Sequence, residues 1–237
     1  EFPGDPFHAP PPATGFLAAA RAPIGTLRIG LLTEPIIADV PVDPESVTAA
    51  EQTARWLEEL GHEVVPIGRP FGPDLVAQFE AVWHTLALLT PVMPDDEQRL
   101  QPLTRHLRDL GRQVTGIQLA MAVSLLRIQT RATLAAWAGF DAVVMPTVNG
   151  VAPLVEDIVD RADPARDFEN QKRWAAFTAA FNMTGQPAIS VPMHWTAEGL
   201  PIGVMLVGKM FGEETLIGLA AQLEQAHPWS DRKPEVW

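Results

Sequence analysis

Residues Phe181–Gly208 read FNMTGQPAISVPMHWTAEGLPIGVMLVG, and this run decides the fold class. Asn182, Thr184 and Gly185 have the look of a helix C-terminus, with Gly185 as the left-handed residue that stops it. Ala188–Val191 and Ile202–Val207 are apolar runs of the length of buried strands, and Glu198-Gly199 marks the turn between them. A helix is predicted over Glu213–Ala226, entered after Gly212 with two acids that suit the N-terminal dipole. Helix end, strand, hairpin, strand and helix make an α/β pattern.

Working outward, Leu27–Leu32 (LRIGLL) is a further strand-sized apolar run. Asp43 as N-cap, Pro44 at the first helical position and Glu45 in the first turn predict a helix start. Val47, Ala50, Ala54, Leu57 and Leu60 form its apolar stripe, and Gly61 is placed to end it. His62–Ile67 resumes as a strand. Strand, helix, strand over this span is a βαβ unit with a parallel pair and a right-handed crossover. Helical spacing predicts helices over Asp74–Leu89, Glu97–Leu110 and Thr115–Ala138, separated by PVMP and Gly111. Phe140–Met145 reads as a buried strand ended by Pro146-Thr147. Residues 149–164 read as loop, and Ala165–Met183 as one helix. Five of the first twelve residues are proline, so residues 1–24 are expected to be an extended linker and 25–237 a single domain. The expected architecture is α/β, a mixed central sheet with helices on both faces.

Composition narrows the function. With 47% hydrophobic and 19% charged residues, the 237-residue chain can fold on its own core, burying roughly 70% of its unfolded surface. The absence of cysteine excludes disulfides, thiolate nucleophiles and thiolate-ligated metals, and suits a cytoplasmic setting. A net charge of −12 with only three lysines argues against a nucleic-acid backbone as ligand. No apolar run reaches the length of a membrane span, so no membrane partner is expected. Scarce lysine beside abundant alanine, proline and arginine suits a GC-rich bacterial genome.

Four segments together resemble the amidase signature family: GDPFHAPPP; RIGLL with the βαβ unit through HEVVPI; FDAVVMPTV; and FNMTGQPAISVP…GLPIGVMLVG with its trailing helix. The resemblance covers nearly the whole chain and corresponds to the C-terminal half of such enzymes. It implies hydrolysis of a small amide by a Lys-Ser-Ser triad with no cofactor. A serine hydroxyl needs an adjacent base, and the oxyanion needs fixed donors. The serine-rich stretch that would carry the triad is expected in an N-terminal amidase fragment, the implied partner. No catalytic residue is therefore expected in this chain, which alone should be inactive. A homodimer of the complete enzyme also follows from the resemblance. Where the family often has Gln in the last strand, this chain has Met205.

The four serines read structurally: Ser46 at a helix start, Ser124 on a helix, Ser190 inside a buried strand, Ser230 near the end. Thr147, Val148 and Asn149 follow the C-terminal end of a strand, where ligand crevices of α/β sheets lie, and are expected to line the substrate pocket. Trp83 and His84 lie in the helical run that approaches the acyl pocket in the family, so they join the candidate substrate-binding set; an aromatic in an apolar helix equally suits the core, which is the expectation for Trp83. Arg127 and Arg131, one turn apart, read as a solvated face, or else as a carboxylate clamp. Glu156, Asp157, Asp160 and Asp163 read as a solvated acidic loop, and the scattered histidines form no metal site. Two accounts compete with the amidase half: a non-catalytic binding or scaffold chain that keeps the fold, and an amidotransferase A-subunit. An isolated half would expose its sheet edge and core face, which disfavours the first, and strong acidity with few lysines disfavours the second.

Overall fold

A computed structural model describes residues 8–72 and 75–233. The elements in chain order are α1 (Phe16–Arg21), β1 (Arg28–Leu31), α2 (Pro44–Glu59), β2 (Glu63–Pro66), α3 (Leu75–Leu86), α4 (Pro102–Gln113), α5 (Gly116–Ala136), β3 (Ala142–Pro146), α6 (Val155–Ile158), α7 (Pro164–Trp174), α8 (Ala179–Thr184), β4 (Ala188–Trp195), β5 (Pro201–Gly208) and α9 (Glu213–Ala226). A 3-10 turn over Pro94–Arg99 precedes α4.

The strands form one mixed sheet in the order β2-β1-β3-β5-β4. β1 runs parallel to β2 and β3, while β3–β5 and β5–β4 are antiparallel. The βαβ unit is therefore as expected, with α2 as its crossover. Asp43 caps α2 by accepting the Glu45 N–H at 2.8 Å, and Gly61 follows it at φ 95°.

Helices cover both faces, and the alternation of side chains assigns each strand residue to one of them. On one face Ile29, Val144, Val204 and Leu206 pack with Leu57 of α2 and Leu219 and Leu223 of α9. On the other, Val143, Met145, Met205 and Val207 pack with Phe177, Phe181 and Trp137. Each such fully buried side chain contributes about 1.5–3 kcal/mol. Met205, the departure from the family pattern, is 4% exposed and fills this apolar layer.

Several expectations need correction. The run Ala165–Met183 is two helices, α7 and α8, because the backbone leaves the helix at Ala175 (ψ 37°). The stretch expected to be all loop carries α6. Gly111 does not end a helix; it lies within α4, where a Cβ would collide with the carbonyl oxygen of His84 on α3. The predicted start of α3, Asp74, lies outside the described residues. The first 24 residues are not extended throughout: α1 docks on α9, and the Glu214 carboxylate accepts the backbone N–H groups of Ala13, Thr14 and Gly15. Ser190 does not sit inside a buried strand. β4 is an edge strand, and Ala188 and Ser190 are exposed.

Candidate functional site

β3 is buried through Pro146, and the chain then surfaces at Thr147. The Thr147 N–H donates to the Gly203 carbonyl at 3.2 Å, which extends the β3–β5 ladder by one bond. Its Oγ1 lies 2.7 Å from the Ser190 Oγ across β5. Gly203 sits beneath the pair: a Cβ there would fall 2.6 Å from the Ser190 Oγ and 3.0 Å from the Thr147 Oγ1. The hydroxyls therefore rest on bare backbone, at the carboxyl end of β3 and on the free edge of the sheet.

That edge is open for hydrogen bonding. The Gly208 N–H donates to the Pro187 carbonyl at 2.9 Å, which fixes the alternation along the β4–β5 ladder. Ala188, Ser190 and Pro192 occupy the non-bonded pairs, so their backbone groups turn away from β5. Neither the Ser190 nor the Thr147 hydroxyl bonds to a histidine, lysine or carboxylate among the described residues; each has the other as its partner. Lys172 pairs with Glu80 and Glu169, and Lys209 with Asp141. A serine without an adjacent base is a weak nucleophile. The pair can hydrogen-bond a ligand, but its own chemistry ends there.

Val148 is half-buried beside Thr147. Asn149 is a knot in the backbone: its N–H donates to the Trp174 carbonyl at 3.0 Å and its carbonyl accepts the Asp43 N–H at 2.9 Å. Its Nδ2 donates to the Pro41 carbonyl at 3.1 Å, whereas its Oδ1 is buried without a partner. Asn149 also lines a small depression with Asn170, Arg173 and Trp174.

Trp83 and His84 lie apart from this loop. Successive helical residues diverge by about 100°, and α3 accordingly aims the two at different depressions. Trp83 is 36% exposed rather than core, which corrects the expectation for it. It makes edge-to-face contacts with Phe79 and Phe168 at 5.0 and 5.2 Å, and it forms one wall of an apolar cavity of about 570 Å³ between α3, α5 and α8. Phe79 and Phe168 cover the indole edge-on, and its remaining surface faces the cavity and so stays open. His84 lines a second, more open depression with Gln78, Glu80 and Met121. Burial pushes its pKa below the usual value, Glu80 opposes this, and His106 and Lys172 add to it. Its Nε2 is buried without a hydrogen-bond partner among the described residues.

The five predicted site residues thus fall in three places, with Thr147–Asn149 together and Trp83 and His84 each on its own depression. Sequence reading missed Ser190 as a partner of Thr147. The signal was available, since Ser190 is the polar residue between Ile189 and Val191 in a period-two run. Among the described residues no group of His, Asp or Glu is placed to hold a metal ion, and the acidic loop is consumed locally: Asp160 accepts the N–H groups of Ala162 and Asp163, and Asp163 caps α7. Among the described residues no helix is long and apolar enough to cross a membrane.

The Amidase family profile matches residues 3–217. The 6-aminohexanoate-cyclic-dimer hydrolase of Pseudomonas sp. (strain NK87) is 32% identical over 257 residues, covering 99% of this chain and 51% of that protein. The enzyme of the same name from Paenarthrobacter ureafaciens is 31% identical over 252 residues, with 99% and 51% covered. A solved structure of 6-aminohexanoate cyclic dimer hydrolase superimposes with a TM-score of 0.83 at 29% identity, over 100% of this chain and 52% of that one. The chain spans about half the length of the curated relatives it matches.

Proposed function

Because the chain belongs to the amidase family, we propose that it is the C-terminal half of an amide hydrolase. The whole enzyme converts a carboxylic amide to an acid and an amine or ammonia. The serine nucleophile, its partner serine and the lysine are carried by an N-terminal segment, and this half contributes substrate-binding surface. One observation carries the reading: nearly all of this chain aligns with only half of each hydrolase, while the Ser190 and Thr147 hydroxyls have no base among the described residues.

Two features of the fold support it. Among the described residues the sheet stops at β4, with the Ala188 and Ser190 backbone groups unpaired, as an interrupted sheet would. The Thr147–Ser190 hydroxyls stand at the carboxyl end of β3 beside that edge, within reach of any strand added there. Thr147, Val148 and Asn149 would then bound the pocket on this side, with Trp83 and His84 further along the same half. The relatives' names point to aliphatic amides as the substrate class.

Native mass spectrometry of the purified protein followed by an amide-hydrolysis assay tests the proposal. A two-chain assembly that hydrolyses small amides, beside an inert single chain, is the expected result. Turnover by the single chain would overturn it. A folded, monodisperse single chain that recruits no second segment would favour a non-catalytic binding role.

A further inference from the structure

The cavity between α3, α5 and α8 is apolar in its body and polar along one side. Phe79, Trp83 and Leu126 supply apolar wall, and Arg127, Thr130 and Asn182 supply the polar groups. Thr130 is committed already, since its Oγ1 donates to the Met183 carbonyl at 3.3 Å. Arg127 makes no ion pair or hydrogen bond with any described residue. The local charge favours an anion, since α5 carries Arg127 and Arg131 and no acid, against the background of a chain whose net charge is −12. Arg127 is exposed and stands at the mouth of the cavity, where its guanidinium can hold a carboxylate with two parallel bonds once a ligand displaces water from it. At about 570 Å³ the cavity has the size of a small-molecule site.

The cavity also lies on the useful side of the sheet. Phe177 and Phe181, which flank its α8 wall, pack on the face that carries Met205. Ser190 pairs with Met205 in register and so points to that same face. From Asn182 the chain passes through Gly185 into β4 and reaches Ser190 within eight residues.

We infer that this cavity receives the apolar arm of an amide substrate that ends in a carboxylate, with Arg127 pairing with that carboxylate. The inference rests on the amide-hydrolase reading and narrows its substrate class. Trp83 and Leu126 contact the methylenes of the arm, and Asn182 offers a second polar contact from the α8 wall.

Adipamate and hexanamide test it. They share the amide and the chain length, and differ in a terminal carboxylate against a methyl. Titration calorimetry of the 237-residue chain at low salt should show adipamate binding about fivefold more tightly, the upper worth of an ion pair at an exposed guanidinium. Arg127→Gln should erase the preference and leave hexanamide affinity unchanged, while Arg127→Lys keeps part of it. Val123→Phe, which fills the cavity, should weaken both ligands without lowering the melting temperature. Equal affinity for the two amides, an unaffected Arg127→Gln variant, or no saturable binding would each overturn the inference. Arg127-dependent binding in an assembly that hydrolyses no amide would sink only the hydrolase reading. Hydrolysis with Arg127-independent binding would sink only this one.

Discussion

At the scale of single residues, Gly203 is where the sequence pattern and the site geometry meet. In a strand interior glycine forfeits packing and is tolerated where something approaches closely. Here the close neighbours are the Ser190 and Thr147 hydroxyls. Gly203→Ala should cost about 1–3 kcal/mol by overpacking, measured by urea denaturation. On a Ser190→Ala background the cost should fall to less than half, because the nearest obstacle is gone. The same cost on both backgrounds would show that the hydroxyl is not what excludes a side chain. Glycine and serine were both readable in the sequence. Their contact was not, since Gly203 and Ser190 lie on opposite arms of a hairpin and meet only through its register.

At the scale of elements, the contact of α3 with α4 is set by Gly111. In an exposed helix interior, replacing glycine by alanine stabilises by about 1 kcal/mol. Gly111→Ala should do the reverse, destabilising by about 3 kcal/mol, because its Cβ would meet the His84 backbone. A stabilised variant in thermal unfolding would contradict the close approach. The 3-10 turn is tied to α4 in a different way. Arg108, 7% exposed at its side chain, donates two bonds to the Glu97 carboxylate, and Arg112 adds a third. These bonds hold the Glu97 pKa at about 2, below the usual 4.5. A carboxylate with a depressed folded pKa contributes stability that is present above its unfolded value and lost on acidification toward its folded one. Stability should therefore decline as pH falls from about 4.5 to about 2, and Glu97→Gln should flatten that part of the profile. An unchanged acid limb in the variant would exclude Glu97 as its source. Helical spacing revealed the segment but placed its helix five residues early, at Glu97, because Pro94 and Pro102 each start a turn and only the second continues as α-helix.

At the scale of the whole molecule, the chain presents surface that its described residues do not cover. The free edge of β4 is one part. A stripe on α5 is another, where Ile117, Met121, Leu125 and Ile128 are exposed at helical spacing. The amidase-half proposal makes a specific expectation of the edge: the Ala188 and Ser190 amides should exchange rapidly in the single chain and become protected in the two-chain assembly. Rapid exchange in an active assembly would place the added segment elsewhere. The depressions that hold Trp83 and His84 also belong to this scale. Both are bounded by α3 and α5, which approach from distant parts of the sequence.

The sequence by itself determined the layers of this protein. Caps at Asp43 and Gly61, the period of the apolar residues and the hairpin turn at Glu198-Gly199 are local signals, each decided within a few residues, and they place the α/β sheet and its parallel unit. The family membership was legible for the same reason, since it is carried by contiguous motifs. Only the tertiary structure decided that β4 is an edge, that Ser190 faces Thr147 over Gly203, that Trp83 is half-open and that Arg127 lines a cavity. Each of these depends on which segments become neighbours. Burial and hydrogen-bond partnership are properties of pairs brought together across the chain, and no local pattern encodes them.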